Sequence, residues 1–503
     1  MKYHPKFRRF IVCLLTTISL VNGAKNPRVV VIGAGAAGLA TASRLHQGGI
    51  TNVTILEASQ RVGGRIRTTP FGAGIVELGA QWCHGEKGNV VYELASAYPD
   101  LLKASIIVED AALIQSNGVR IDDELVEKVS SLAEQISESE DRMSYAGSLG
   151  DFFTETYWQR LRTDAGFSDV SHELAEQFLV YFHNRGRGDS AYDSWYDVAA
   201  NETDSYQETE GNQALAWNSR TGYSTILDIV SGNYPAAANS TNPTKVPLSE
   251  LIVFGKYVSN IQWDGVHTNN VLITTEDGSQ YKADHVVVTV SLGVLKENSA
   301  TMFTPALPTV NQQAIEGLNF GTVNKIFTLY NAPLPEGMAN SVFLLWHKPD
   351  LDALRRSKYA WAEAVAAFFR VDHQPNVLGA WLNGIEGRQA ELLPDEVVQE
   401  GLAHLLEIFL PKLNFSHVQS IIRSKWSSDR LFRGSYSSRS TLTETLGTGA
   451  QYLGSYLANK DGTPVVMFAG EATNRFHFST VHGAIESGFR EADRVLDLYN
   501  GSH

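Results

Sequence analysis

The clearest pattern in the chain is at its N-terminal end. Arg28–Ile32 is an apolar, β-branched run that suits a strand buried on both faces. Gly33–Gly38 interrupts it, Leu39–Leu45 has helical spacing of apolar and polar positions, and Val53–Leu56 is a second apolar run closed by Glu57. Strand, glycine turn, helix and strand in that order predict a βαβ unit. From about Leu101 to Val198 the periodicity becomes helical and richly charged, as in Glu124–Ser137 and Leu174–Phe182. Ala199–Asn218 is polar, poor in large aliphatic residues, and expected to be an exposed loop or insertion. Leu251–Trp263 and Val271–Thr275 read as strands, and Glu276-Asp277-Gly278 as a turn leading into Gln280–Val290, where His285–Val290 has a buried-strand signature. Lys325–Leu329 and Val377–Leu382 predict a second sheet, Glu396–Leu410 an amphipathic helix, and Val465–Phe468 a last buried strand before the helix Gly483–Tyr499.

The glycine turn is the first candidate for chemistry. Gly33-Ala34-Gly35-Ala36-Ala37-Gly38 has dinucleotide-binding spacing. The first glycine allows the tight turn, the second lets backbone approach a pyrophosphate, and the third lets helix pack closely on strand. The phosphates then face the helix N-terminus, where unpaired N–H groups favour an anion. Glu57 lies at the end of the second strand, where a carboxylate accepts from ribose hydroxyls. Directly after it, Arg61-Val62-Gly63-Gly64-Arg65 sets paired glycines between arginines, a second phosphate clamp that fits FAD better than a nicotinamide cofactor. The bland reading of this segment is an exposed basic turn.

Met1–Arg9 carries Lys2, Lys6, Arg8 and Arg9 without an acid; Phe10–Val21 is apolar, and Val21-Asn22-Gly23 is small. That order predicts a secretory leader over residues 1–23; the run is short for a membrane anchor. The expected location is secreted, or retained in the secretory pathway, and Gly501-Ser502-His503 is not a peroxisomal signal. Removing the leader takes 4 of 41 basic residues, leaving 37 against 55 acids, a balance of −18. Such acidity argues against nucleic acid and suits cationic ligands, although solubility alone explains it equally well. Hydrophobic residues make up 43% and charged residues 19% of the 503, which fits a folded globular protein of more than one domain. The cysteines are Cys13 and Cys83, so the mature chain has no internal disulfide. Asn52, Asn201, Asn239, Asn414 and Asn500 head glycosylation triplets, with Asn52 discounted for its closeness to a core strand.

With these motifs in place the sequence resembles the flavin-containing amine oxidase family over most of its length. The resemblance rests on Gly33–Gly38, Leu56–Ala58, Arg61–Arg65, Glu77–Ala80 and Gly470–Glu471 in that order. Within the family it is most similar to the polyamine oxidases, through Glu77–Gly85, Phe320–Phe327, Phe468–Thr473 and Ser479–Ala484. The resemblance implies an α/β fold: a discontinuous, glutathione-reductase-type FAD domain (24–100, 246–310 and 426–503) with a substrate domain that is helical over 101–245 and mixed sheet and helix over 311–425.

It also implies site residues. Lys325 faces flavin N5 through a water, and His84 hydrogen-bonds the substrate amine. Gly33, Gly35, Ala36, Ala37, Gly38, Glu57, Arg65, Gly79, Ala80, Gln81, Trp82, Val258, Glu471, Thr480 and Val481 bind the cofactor, with the positive end of the closing helix towards flavin N1 and C2=O. Tyr436 and Thr480 wall the substrate, and no metal is implied. The bland alternatives are a snorkelling strand-edge lysine and an exposed loop histidine. No cysteine follows Cys83, so the flavin is expected to be non-covalent, and Thr480 leaves room for a long linear amine where monoamine oxidases have a tyrosine. Candidate carboxylates for that amine lie in Glu202–Glu210, a charge run that otherwise reads as a solvated face. The activity expected is oxidation of a secondary amine of spermine, spermidine or their acetyl forms by O2. An L-amino-acid oxidase would need an arginine for the carboxylate, and none is evident; a non-catalytic flavoprotein is disfavoured by Lys325 and His84. Histone demethylation is disfavoured by the leader and the lack of a long coiled-coil insertion.

Overall fold

In the computed structural model, residues 26–201, 206–235, 245–263 and 271–500 are described; the expected leader, Cys13, Asn239 and part of the Glu202–Glu210 run lie outside them. Val29–Ile32 is a strand with every residue buried, as an apolar run covered on both faces requires. It is central to a six-stranded sheet ordered Leu457–Ala458, Pro464–Phe468, His285–Val288, Val29–Ile32, Val53–Glu57 and Ile252–Phe254. All pairings are parallel except that of Leu457–Ala458, so distant stretches of the chain build one sheet.

Gly33 leaves the first strand at φ +107, a conformation that strains any side chain. Its N–H donates to Leu56 O at 2.9 Å, and Ala34 N–H donates to Glu57 Oε2 at 2.7 Å. The helix Ala36–Gln47 follows. A Cβ on Gly38 would lie 2.0 Å from Gly33 O, so the helix can approach its own turn only if this residue is glycine. The closing helix, Val481–Asn500, packs on the opening one, where a Cβ on Gly488 would meet Ala37 O at 2.3 Å.

The second sheet is ordered Val418–Arg423, Val323–Tyr330, Gln374–Asn383, Val365–Val371, Ser341–Leu345 and Ala111–Gln115. All eight residues of Val323–Tyr330 are buried. The strand's polar members are therefore enclosed, with sheet neighbours on either side.

Four expectations are corrected. The stretch Leu101–Val198 is not wholly helical, because Leu102–Ala104 and Ala111–Gln115 are strands and the latter is an edge of the second sheet. Ala199–Asn218 is not simply an exposed loop: Leu215–Trp217 is a strand between Trp82–Cys83 and Leu102–Ala104, and Leu215 and Trp217 are buried. Short apolar runs with few aliphatics give no periodic signal for such a strand. Gln280–Val290 divides at Asp284 into strands of two different sheets, and Leu251–Trp263 divides likewise at Gly255–Tyr257. Asn52, discounted above, is exposed, as is Asn414.

Gly38→Ala is expected to lower stability by about 2 kcal/mol or more through overpacking, whereas a Cβ on Gly35 meets nothing nearer than 3.9 Å. Gly35→Ala should therefore melt within a few degrees of the parent; equal melting temperatures for the two variants would refute the steric account of Gly38.

Candidate active site

A cavity of about 1200 Å³ begins at the glycine turn and ends against the second sheet and the helix His172–Ser190. It is bordered by Gly33, Gly35, Ala36, Ala37, Glu57, Arg65, Gly79, Ala80, Gln81, Trp82, His84, Val258, Lys325, Tyr436, Glu471, Thr480 and Val481. Gly38 is not on its wall, because it lies beneath Gly33 and serves the packing of helix on turn, and neither is Arg61.

The end at the glycine turn fits a dinucleotide. Gly35 caps the opening helix without a side-chain hydrogen bond, so the first helical N–H groups are left to a ligand. Gly35 and Gly63 form a parallel bridge, and a Cβ on Gly64 would sit 3.4 Å from Gly35 Cα, so two glycine backbones meet at the cavity wall. The arginines there have partners within the protein. Arg61 donates to the carbonyls of Val62, Gly64 and Ile66 and so staples its own turn. Arg65 Nη1 donates to Glu471 Oε1 at 2.8 Å and to Ser435 O at 2.7 Å. Glu471 is 4% exposed and also accepts from Ser437 Oγ at 2.6 Å and Ser479 N at 2.8 Å. Its carboxylate is a lock between the segments at 65, 435–437 and 479. Glu57 is largely committed, holding Ala34 N with one oxygen and Ser59 N and Oγ with the other. Thr480 Oγ1 accepts from Gly483 N at 3.0 Å and donates to His477 O, so it caps the closing helix and offers the cavity only its small volume.

Lys325 is 4% exposed and does not snorkel. Its Nζ donates to Glu77 O at 3.0 Å, Gly79 O at 2.6 Å and Gln81 Oε1 at 2.7 Å. It also lies 4.7 Å from the ring centre of Trp381, its cross-strand partner, and 5.7 Å from that of Trp82, which stacks on Trp381. Burial lowers the ammonium's pKa to about 7, against the charge of Glu77, which favours protonation. Three carbonyl-type acceptors suit an ammonium with three N–H groups, so the surroundings supply good partners while withholding water. Burial in turn raises Glu77, whose carboxylate accepts from Tyr223 N at 2.8 Å and Thr68 Oγ1 at 2.8 Å.

His84 is exposed, and it borders the cavity. Burial lowers its pKa, and Nδ1 lies 2.7 Å from Gln213 O. A carbonyl partner requires Nδ1–H, which leaves Nε2 as an acceptor in the neutral ring. Thr209 Oγ1 and Asn89 Nδ2 both donate to His84 O at 2.7 Å and fix the loop. A Cβ on Gly85 would lie 1.9 Å from Thr209 Oγ1, which accounts for the glycine.

Several wall residues were not found from sequence. Asp189 and Arg185 face the cavity from the helix His172–Ser190, and Trp381 and Asn383 face it from the second sheet. The only advance signal for Asp189 was the four-residue spacing from Arg185. Burial raises the Asp189 pKa, opposed by Arg185 and His84. Of the acidic run, Glu208 reaches the wall, whereas Glu210 pairs with Lys87 at the surface. Tyr436 Oη donates to Gly188 O in the last turn of that helix, so its ring forms wall while its hydroxyl satisfies a helix-end carbonyl.

The sequence pattern described as flavin containing amine oxidoreductase matches residues 36–496. A peroxisomal N(1)-acetyl-spermine/spermidine oxidase of Bos taurus is 31% identical over 95% of this chain and 96% of its own. Its Homo sapiens counterpart is 30% identical over 96% and 98%, and polyamine oxidase 1 of Oryza sativa subsp. japonica is 32% identical over 95% and 98%. With a dinucleotide cradle at one end of the cavity and a buried lysine, a neutral histidine and a carboxylate at the other, the chain belongs to the flavin-containing amine oxidoreductase family and is a flavin-dependent amine oxidase.

Proposed function

We propose that the chain is an FAD-dependent polyamine oxidase. It oxidises a secondary amine of spermine, spermidine or an acetylated form to an imine that water hydrolyses to an aldehyde and a shorter amine, while O2 becomes hydrogen peroxide. The observation that carries this reading is Asp189 in the last turn of the helix His172–Ser190, on the wall of the same cavity as Lys325. A helix C-terminus is the negative end of its dipole, and a carboxylate added there makes a site for a cation, not for an anion or an apolar chain. The relatives' names point the same way.

In this reading the flavin is FAD, held without a covalent bond by a glutathione-reductase-type domain, and supplies the hydride acceptor. Cys83, the one cysteine among the described residues, is buried and does not border the cavity, which supports non-covalent binding. The opening helix N-terminus and Gly35 hold the pyrophosphate, Glu57 the adenosine ribose, and the backbone at Val258 the adenine. Val481 and the N-terminus of the closing helix face the ring. His84 Nε2 accepts a hydrogen bond from the substrate amine and helps set its register. Lys325 holds a proton at Nζ among Glu77 O, Gly79 O and Gln81 Oε1, ready to share it with a water beside the ring. Trp82, Trp381 and Tyr436 exclude bulk water and present aromatic faces to the methylene chain. The division into three cofactor segments and two substrate segments is supported by the pairing of Val29–Ile32 with His285–Val288 and of the latter with Pro464–Phe468. Secretion and glycosylation are part of the proposal and rest on the sequence of residues 1–23 and the asparagine triplets.

A second reading, an L-amino-acid oxidase, gains one observation, since Arg185 is an arginine on the cavity wall. Asp189 beside it would repel the carboxylate that Arg185 attracts, and this weighs against it.

Purified protein is expected to release peroxide with polyamines and not with a panel of L-amino acids; release with the amino acids alone would overturn the polyamine reading. Lys325→Met should keep its yellow flavin and lose flavin reduction rate by roughly 10²-fold, and unchanged turnover would remove Lys325 from the mechanism. A stability test has a definite sign. The folded-state pKa of Lys325 lies below its ordinary value, so carrying the charge costs stability in full below about pH 7, and the cost fades as pH rises towards the ordinary lysine value. The melting temperature of Lys325→Met relative to the parent should therefore improve as pH falls from 10 to 6; a pH-independent difference would show that burial does not depress this lysine.

A further inference from the structure

The wall that the second sheet gives to the cavity has an order that the proposed amine chemistry leaves unused. Lys325 lies directly opposite Trp381 in the register, Trp381 opposite Ala367, Ala367 opposite Phe343, and Phe343 opposite Leu113. All of them border the cavity. Directly opposed residues project from the same face of a sheet. They therefore form one row across neighbouring strands, from the lysine to the edge strand Ala111–Gln115, a span of about 19 Å at about 4.8 Å per strand. Beyond Trp381 the row has no polar side chain. Ser341, two residues along from Phe343 and also on the wall, donates its hydroxyl to Ile107 O at 2.7 Å. Tyr181 packs edge-on to Phe343 at 5.7 Å, and its hydroxyl is taken up by Arg185. Ala367 is the small member, set between the rings of Trp381 and Phe343 and buried. At the far end Ala111 and Val108 border the cavity and are exposed, so the apolar wall continues to the surface.

We propose that this row is the route of O2 into the site, and that the gap over Ala367, between Trp381 and Phe343, is where O2 is held before it reacts. The inference rests on the reading of O2 as the oxidant and adds the residues that handle it. Molecular oxygen is small, uncharged and apolar, and it gains by leaving water for an apolar wall. An ammonium or a water molecule on the same wall would lose hydrogen bonds that nothing there replaces. The cation's partner, Asp189, stands on the helix His172–Ser190 and not on this sheet face. The row also ends where it should. The amine gives up two electrons and two protons, and O2 takes them up to become hydrogen peroxide. An ammonium at the head of the row, Lys325, favours the negative charge that arrives on oxygen with the electrons.

The first test needs no turnover. Crystals of the flavin-loaded protein under xenon, an apolar atom that enters dry apolar gaps, should show it against Ala367 in the parent and not in Ala367→Leu, whose side chain fills the gap. The second test separates the two halves of the reaction. The holoenzyme is reduced with dithionite and mixed with O2, and its reduction by amine is followed separately without oxygen. Ala367→Leu should slow reoxidation by about tenfold or more, with the smaller Ala367→Val between it and the parent, while both keep the parent's rate of reduction by amine. The bound-flavin spectrum and the melting temperature check that each variant is folded, and Ala367→Val carries the test where Ala367→Leu is overpacked. Unchanged reoxidation in a folded variant, or a parent gap without xenon, overturns the inference. So does a loss confined to the amine step, which would assign the gap to the substrate's methylene chain, and so do equal losses in both steps. A dithionite-reduced parent that O2 does not reoxidise overturns instead the reading of O2 as the oxidant.

Discussion

The hydrogen bonds from Lys325 Nζ to the carbonyls of Glu77 and Gly79 join the second sheet to the segment after the glycine turn on the wall of the cavity. Lys325 belongs to the fully buried strand Val323–Tyr330 of the second sheet, and its acceptors belong to the segment that follows the glycine turn. A buried ammonium is costly unless every N–H is met. Meeting them fixes the backbone of 77–81, and a Cβ on Gly79 would lie 1.8 Å from Arg65 O, so that segment in turn is pressed against the cofactor turn. The lysine, the loop that carries Trp82 and His84, and the arginine turn therefore share one register.

The carboxylates near the cofactor follow a related logic. Glu57 and Glu471 were read as ligand contacts, and both border the cavity, yet most of their hydrogen-bonding capacity is spent on the protein. Glu57 holds the glycine turn in shape. Glu471 ties residue 65, near the start of the chain, to residues 437 and 479, near its end. A site assembled from such remote segments needs buried polar locks, because apolar packing alone does not fix their mutual register.

The parts of the fold that sequence disclosed are those with local rules. A β-branched run followed by glycines at fixed spacing leaves few options, and the strand, the turn and the helix Ala36–Gln47 fall where the pattern puts them. Lys325 stood out because lysine in an apolar strand breaks the local rule, and such breaks collect at functional sites. The strand Leu215–Trp217 did not stand out, since three residues paired to remote partners carry no periodicity. Trp381 likewise becomes part of the site only through its register opposite Lys325, which is a tertiary fact. Arg61 and Arg65 were legible as a basic turn beside phosphates, but their partners are carbonyls and a carboxylate that only the folded chain brings near. Asp189 was hidden for a different reason, being an ordinary surface-like residue on an amphipathic helix until a cavity is placed beside it.

Helix ends give the cavity its direction. The opening and closing helices both present their N-termini, where unpaired N–H groups favour phosphate and an electron-rich ring. The helix His172–Ser190 presents its C-terminus, with Asp189 in its last turn and Tyr436 taking up one of its carbonyls. Two helix N-termini and one helix C-terminus thus border the same cavity, with the buried Lys325 on its wall. This polarity follows from which way each helix enters the wall and needs no net charge.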